Sequence, residues 1–254
     1  MLGYGSIFEA RGSSYNDATR LCPDARARER ELLIERLAPR AHHRVCDAPA
    51  GGGYLAEGLA ERTPPARIIC IDPSRRFVRG VDAAFPRVLA PLEALPLADD
   101  SVDRVGSLAG LHHLERKGDF LGEAFRVLAP GGRIAVADVL AGSPVAGFLN
   151  DTVDRFTETG HAGIFLEPGE LTQRLEAAGF VDVSEKLERY EWCFPDVELL
   201  LRYCKLLFGL VKADLHRVRA ELERHLGVEV GGSGARLPWS LVYACATKPD
   251  DALA

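Results

Sequence analysis

The chain has 254 residues, 27% charged and 47% hydrophobic, with a formal net charge of −6. That balance suits a globular α/β chain with a sizeable core, and it argues against a general nucleic-acid binder, which would carry a basic stripe. The start shows no basic region followed by an apolar run, and the most apolar segment, 199–211, is too short to span a bilayer and carries Arg202 and Lys205; no signal peptide or membrane span is expected, and the location reads as cytoplasmic.

Residues 1–22 lack periodicity and are rich in Gly, Ser and Tyr. Pro23 and Asp24 then open a helix whose Leu32, Leu33 and Leu37 share one face. Strands are predicted near 44–48, 67–71, 87–90, 102–107 and 132–138, and helices near 53–62, 74–84, 118–128 and 168–178. This alternation implies a parallel sheet with helices on both faces. A sixth strand is expected over 181–192 and a seventh over 239–248, with helical insertions at 143–160, 196–210 and 213–227 and a flexible connection at 227–234. The expected organisation is one domain over 1–254. Its core is 23–142, 161–192 and 235–248, and its helical cap is built from 1–22, 143–160 and 193–234. The six cysteines include no CxxC pair and no His/Cys spacing typical of zinc, so Cys46, Cys70 and Cys245 read as buried thiols and no metal is expected.

Four segments carry the chemistry. VCDAPAGGGYLA (45–56) is a short strand, an acidic residue, a glycine-rich turn and a helix start. Such a turn brings backbone N–H groups and a helix N-terminus to a ligand. ARIICIDPS (66–74) is a strand ending in Asp72, placed to accept bonds from ribose hydroxyls. PLEALPLADDSVDRVGSLAGLHHL (91–114) and FRVLAPGGRIAVADV (125–139) complete the series. Over roughly residues 40–180 the chain is similar to the small-molecule "type 11" class I S-adenosylmethionine (SAM) methyltransferases, such as those of ubiquinone and menaquinone synthesis.

The resemblance implies a Rossmann-like, seven-stranded, mostly parallel sheet with helices on both faces and a helical cap. It also implies SAM as cofactor and S-adenosylhomocysteine as product. The implied cofactor contacts are Asp47, Ala48, Pro49, Gly51 and Gly53 in the turn, Asp72 and Pro73 after the second strand, Leu92 and Glu93 near adenine, and Ser107. Tyr15 is expected to close over the cofactor, since an aromatic face attracts a sulfonium. The alternatives are a strand-to-helix turn without ligand, and a helix N-cap role for Asp72. Pro49 replaces the family's first glycine, removing one N–H, and Pro91 stands where Asp is usual.

His112, His113 and His161 are the candidate general bases, against packing for the first two and a solvent-exposed loop for the third. Tyr4, Phe8, Trp192 and Tyr203 are candidate substrate contacts, against ordinary core or dimer packing. His42, His43, His216 and His225 read as surface residues. The expected reaction is in-line methyl transfer to an O, N or C atom of a small, partly apolar molecule, with bacterial specialised metabolism as the expected setting, by a monomer or homodimer. The competing readings are a SAM-binding cyclase or isomerase and a non-catalytic regulatory protein. A nicotinamide dehydrogenase fits poorly, because Tyr54 occupies the position of the third glycine of its fingerprint.

Overall fold

The computed structural model describes residues 4–250 apart from Ala162 and Ser233, and leaves out the side chains of residues 4–7, 10 and 11, so the Tyr4 side chain lies outside the described residues. The strands are β1 (Val45–Asp47), β2 (Ile68–Asp72), β3 (Arg87–Leu89), β4 (Val102–Leu108), β5 (Leu128–Asp138), β6 (Val181–Phe194), β7 (Glu229–Gly231) and β8 (Gly234–Thr247). Their order is β3-β2-β1-β4-β5-β8-β6. The first five pair in parallel, and β8 runs antiparallel between β5 and β6.

The sheet has eight strands rather than the expected seven. The extra one, β7, pairs with β8 through Val230 and Ala235 and replaces the flexible connection expected there. β6 and β8 are also longer than expected, so the sheet reaches into the stretch assigned to the cap. The Pro130-Gly131-Gly132 turn sits within β5 instead of before it, and the pairing with β4 shifts register there.

Helices α2 (Ala27–Leu37), α3 (Tyr54–Leu59), α4 (Arg75–Gly80), α5 (Lys117–Val127) and α8 (Glu170–Ala177) flank the sheet. Two clusters of buried apolar side chains result: Leu33, Leu37, Leu55 and Leu59 belong to one, Phe120, Leu121, Leu171 and Leu175 to the other. After β5 come α6 (Pro144–Gly147), a π-helical stretch (Phe148–Val153) and α7 (Asp154–Phe156); after β6 come α9 (Val197–Phe208) and α10 (Leu215–His225).

Residues read as lacking periodicity form an 18-residue helix, α1 (Tyr4–Leu21). It packs on α4 and α9. Phe8 and Tyr15 place their rings 4.9 and 5.3 Å from Phe77, and Glu9 accepts a hydrogen bond from Arg76 N–H. Asn16 fills a notch that exists only because residues 52 and 80 are glycines: a Cβ on either would lie 2.1 or 2.0 Å from its side chain.

Candidate functional site

The loop between β1 and α3 forms the floor of a groove. Gly51 and Gly53 take φ of 54° and 93°, in the left-handed region that favours glycine. The loop is tied down from below by two aspartates, both fully buried. Asp47 Oδ2 accepts from Ala56 N–H at 3.1 Å, in the first turn of α3. Asp72 Oδ2 accepts from Gly51 N–H at 2.8 Å, and its Oδ1 accepts from Ser74 N–H at 2.8 Å. The N-cap of α4 is Ser74, whose Oγ accepts from Phe77 N–H. Asp72 is therefore not the cap residue, but the strut joining the glycine loop to the second strand.

Pro49, Gly51, Tyr54, Phe77, Phe8 and Tyr15 are among the walls of the groove. Of the other residues expected near a cofactor, Ala48 and Ser107 are buried at the ends of β1 and β4. Gly53 is the N-cap of α3 and Pro73 is half-buried. Leu92 is buried in the second apolar cluster. Glu93 is exposed, away from the groove walls.

Next to the groove, sharing Phe8, Tyr15 and Ala109 with it, is a second, partly open cavity. One end is apolar: Leu149, Leu207, Phe208, Trp192, Trp239 and Leu241. The Trp192 and Trp239 rings stack with centroids 4.1 Å apart. Tyr203, expected on this wall, stands behind it instead; it is 1% exposed and its ring meets Trp192 and Phe194.

The opposite end of the cavity is polar, and there the three candidate histidines converge. Ring centroids are 4.1 Å apart for His112 and His113, 5.5 Å for His112 and His161, and 5.2 Å for His113 and His161. The convergence depends on a long-range backbone bond from Ile164 N–H to His112 C=O, at 2.8 Å. His161 is 5% exposed, so it is not the solvent-exposed loop histidine of the alternative reading. His112 Nδ1 lies 2.7 Å from Asp138 Oδ1 at the end of β5. Burial disfavours the Asp138 charge, but His112 and the N–H groups of Val139 and His112 outweigh it and hold the carboxyl below its usual range. Two other histidines depart from the surface reading. His43 is buried, its Nδ1 accepting from Arg40 N–H, and His225 is half-buried against Asp151.

A buried ion pair closes the base of the cavity. Arg26 donates from Nε to Glu29 Oε1 at 2.9 Å, with a second bond from Nη2 to the same oxygen. Glu29 Oε2 accepts from Trp192 Nε1 and Tyr190 Oη, and Arg26 Nη1 donates to Tyr15 Oη at 2.9 Å. Helices α1 and α2 and strand β6 are thereby fixed around one charge pair.

The family described as "Methyltransferase domain" matches residues 46–136, from β1 to β5. A malonyl-[acyl-carrier protein] O-methyltransferase of Dechloromonas aromatica is 32% identical over 197 residues, 76% of this chain and 74% of the relative. The chain belongs to the SAM-dependent methyltransferases. A ubiquinone/menaquinone biosynthesis C-methyltransferase of Dinoroseobacter shibae is 32% identical over 118 residues, 43% of this chain and 47% of that one. Among solved structures, a SAM-dependent methyltransferase of Thermotoga maritima superimposes with a TM-score of 0.63 at 21% identity, over 96% of this chain and 99% of that chain. The Rossmann-like fold of methyltransferases is thus shared. Among the described residues no helix is long and apolar enough to cross a membrane.

The residues present fit the SAM that membership of this methyltransferase family implies. A Cβ on Gly51 would meet nothing within 4 Å, so the crest of the loop is open to a ligand. Among the described residues, Tyr54 Oη on the groove wall and Asp47 Oδ1 and Ser107 Oγ at the ends of β1 and β4 are buried oxygens without a hydrogen-bond partner, polar atoms suited to a cofactor carrying an ammonium and hydroxyl groups. Burial pushes the Asp47 carboxyl well above its usual range; Ala56 N–H offsets part of this and the neighbouring Asp72 charge adds to it.

A carboxyl whose pKa is raised on folding costs stability once pH exceeds its unfolded value, because the native state must either hold a proton or bury a charge. Asp47→Asn is therefore expected to raise the melting temperature at neutral pH by about 2–4 °C, equivalent to about 1 kcal/mol. The difference should vanish below the unfolded carboxylate pKa of about 3.9. Thermal melts of both proteins across this range check the sign; an Asn variant that is less stable at pH 7 would show that the carboxylate supports the empty fold.

Proposed function

We propose that the methyltransferase acts on a small, partly apolar molecule, bound in the aromatic cavity with its nucleophilic atom toward His112, His113 and His161. The observation that carries this reading is the shared wall of Phe8, Tyr15 and Ala109 between the glycine-loop groove and a cavity that is apolar at one end and imidazole-lined at the other. When bound, SAM supplies an activated methyl group that leaves its sulfonium by in-line displacement. Asp72 and Asp47 hold the groove side: Asp72 is assigned to the ribose hydroxyls, and Asp47 to the amino-acid tail. The apolar wall, led by Trp192 and Trp239, excludes water and aligns the acceptor.

A neutral imidazole at the polar end accepts the acceptor's proton where the nucleophile is not already ionised. Phe8 and Tyr15 on α1 touch both compartments, so α1 is assigned as the cover over the reacting atoms. The malonyl-[acyl-carrier protein] O-methyltransferase relatives support oxygen as the first acceptor atom to try, with flat apolar phenols and acids as the first acceptors and a malonyl ester as the charged comparison.

The test is formation of S-adenosylhomocysteine from SAM with these acceptors, alongside calorimetric titration of SAM and S-adenosylhomocysteine. With phenol acceptors, which arrive protonated, His161→Ala is expected to bind both nucleosides as the parent does and to lose about 10²-fold or more in kcat. A full-rate His161→Ala enzyme would remove the imidazole end from the chemistry. Turnover confined to highly charged polar acceptors would overturn the apolar-substrate assignment.

A further inference from the structure

We infer that His112, His113 and His161 form a binding site for a divalent first-row transition ion of the zinc class, at the polar end of the substrate cavity. One ring nitrogen of each residue lies within 4.8 Å of one ring nitrogen of the other two. Tetrahedral coordination at a Zn–N distance of about 2.0–2.1 Å places ligand nitrogens roughly 3.3 Å apart. Ring rotations on the order of 1 Å therefore close the set, which is within ordinary side-chain adjustment.

The surroundings of the rings carry the inference further than the distances do. A metal-binding histidine ordinarily donates its other ring N–H to a carboxylate or carbonyl oxygen, which fixes the tautomer and makes the ligating nitrogen more basic. His112 has this arrangement: Asp138 Oδ1, 2.7 Å from its Nδ1, can only accept when ionised. His161 has it too, through Asn150 Oδ1 at 2.9 Å. The Asn150 amide has only one consistent orientation, because Nδ2 donates to Gly163 C=O and Oδ1 accepts from Gly163 N–H. Its oxygen therefore faces His161 Nδ1, which must donate. In both rings Nδ1 carries the proton, which assigns ligation to Nε2.

The backbone supports the same geometry. Asp138 Oδ2 accepts from Leu111 and His112 N–H groups, and Asp154 Oδ1 accepts from His161 N–H. Among the described residues the set is made of imidazoles, and such donors suit Zn(II), Co(II), Ni(II) or Fe(II) over Mg(II) or Ca(II). Three protein ligands leave at least one position open toward the cavity, as at catalytic rather than structural zinc sites. An acceptor O–H bound there would have its pKa lowered by the ion and would release its proton to water, so the imidazoles would serve as ligands in the metal-loaded protein and as proton acceptors without it.

The test uses the full chain without a histidine tag, reduced, and titrated with Co(II), whose ligand-field absorption reports coordination number and donor type. The expected result is uptake of one Co(II) per chain with intense visible bands of low coordination, reversed by zinc. His161→Ala and His113→Gln should abolish these bands. Asn150→Ala should weaken binding by about 10–100-fold while the bands survive at high cobalt. Calorimetric binding of S-adenosylhomocysteine, retained in each variant, shows that the fold and cofactor groove are intact and keeps this outcome separate from the assignment of the groove. Absence of a stoichiometric site would overturn the inference. So would uptake unchanged in the histidine variants, or near-ultraviolet thiolate bands assigning the ion to cysteine.

Discussion

Glu29→Gln is expected to destabilise the fold by about 3–5 kcal/mol, the range for leaving one partner of a buried ion pair uncompensated. Arg26 and Glu29 are 4% and 0% exposed, so little solvent screening is available to the remaining charge. The Gln amide would also place N–H groups where Glu29 now accepts from four donors: Nε and Nη2 of Arg26, Trp192 Nε1 and Tyr190 Oη. The loss should be read as a fall in urea midpoint with little change in slope. Replacing both members by methionine should cost much less, because it removes the charge and its partner together. A Glu29→Gln protein within about 1 kcal/mol of the parent would mean that the pair is not a central tie of the fold. The pair also sits at the cavity base beside Tyr15 and Trp192.

That pair was not visible in the sequence, and the reason is general. Glu29 lies in a run of alternating Arg and Glu whose members Glu31 and Glu35 face outward. Nothing local distinguishes the one carboxylate that β6 and β8 enclose. The strands of the parallel half were legible because they are short continuous apolar runs between turn residues, and the glycine loop because its φ values exclude side chains. Helix α1 was not, since Gly5, Gly12, Ser13 and Ser14 are poor helix formers and its order comes from docking Phe8, Gly12, Tyr15 and Asn16 on α4 and the loop. Their helical spacing is the signal that could have found it. The three histidines were each legible as candidates, but their meeting depends on the Ile164-to-His112 bond. Asp138 and Asn150, which orient two of them, were legible only as lone polar residues at element ends. Tyr203 shows the converse limit: an aromatic stripe on α9 has the same spacing whether it lines a cavity or fills the space behind one.

Asp72→Ala should lower affinity for SAM and for S-adenosylhomocysteine by at least about 2 kcal/mol, or roughly 30-fold, the scale of a hydrogen bond to a charged group. Two effects combine in that figure. One is loss of the carboxylate assigned to the ribose hydroxyls. The other is loss of the strut to Gly51 N–H, which leaves the loop crest and Ser74 N–H without their acceptor. The second effect also lowers stability, by about 1–3 kcal/mol for buried donors left unpaired. Asp72→Asn separates the two, because its single amide oxygen can keep one of the loop bonds while removing the charge. If the ribose assignment holds, Asn should recover part of the lost stability, through the one bond its oxygen keeps, and little of the lost affinity. Calorimetric titration of parent, Asn and Ala proteins, with melting curves on the same samples, gives both readouts. Parent-like affinity in a folded Ala variant would overturn the ribose role and leave Asp72 as a loop strut alone. The groove would then have to hold its cofactor through the unpartnered oxygens of Asp47, Tyr54 and Ser107 and the backbone of the loop.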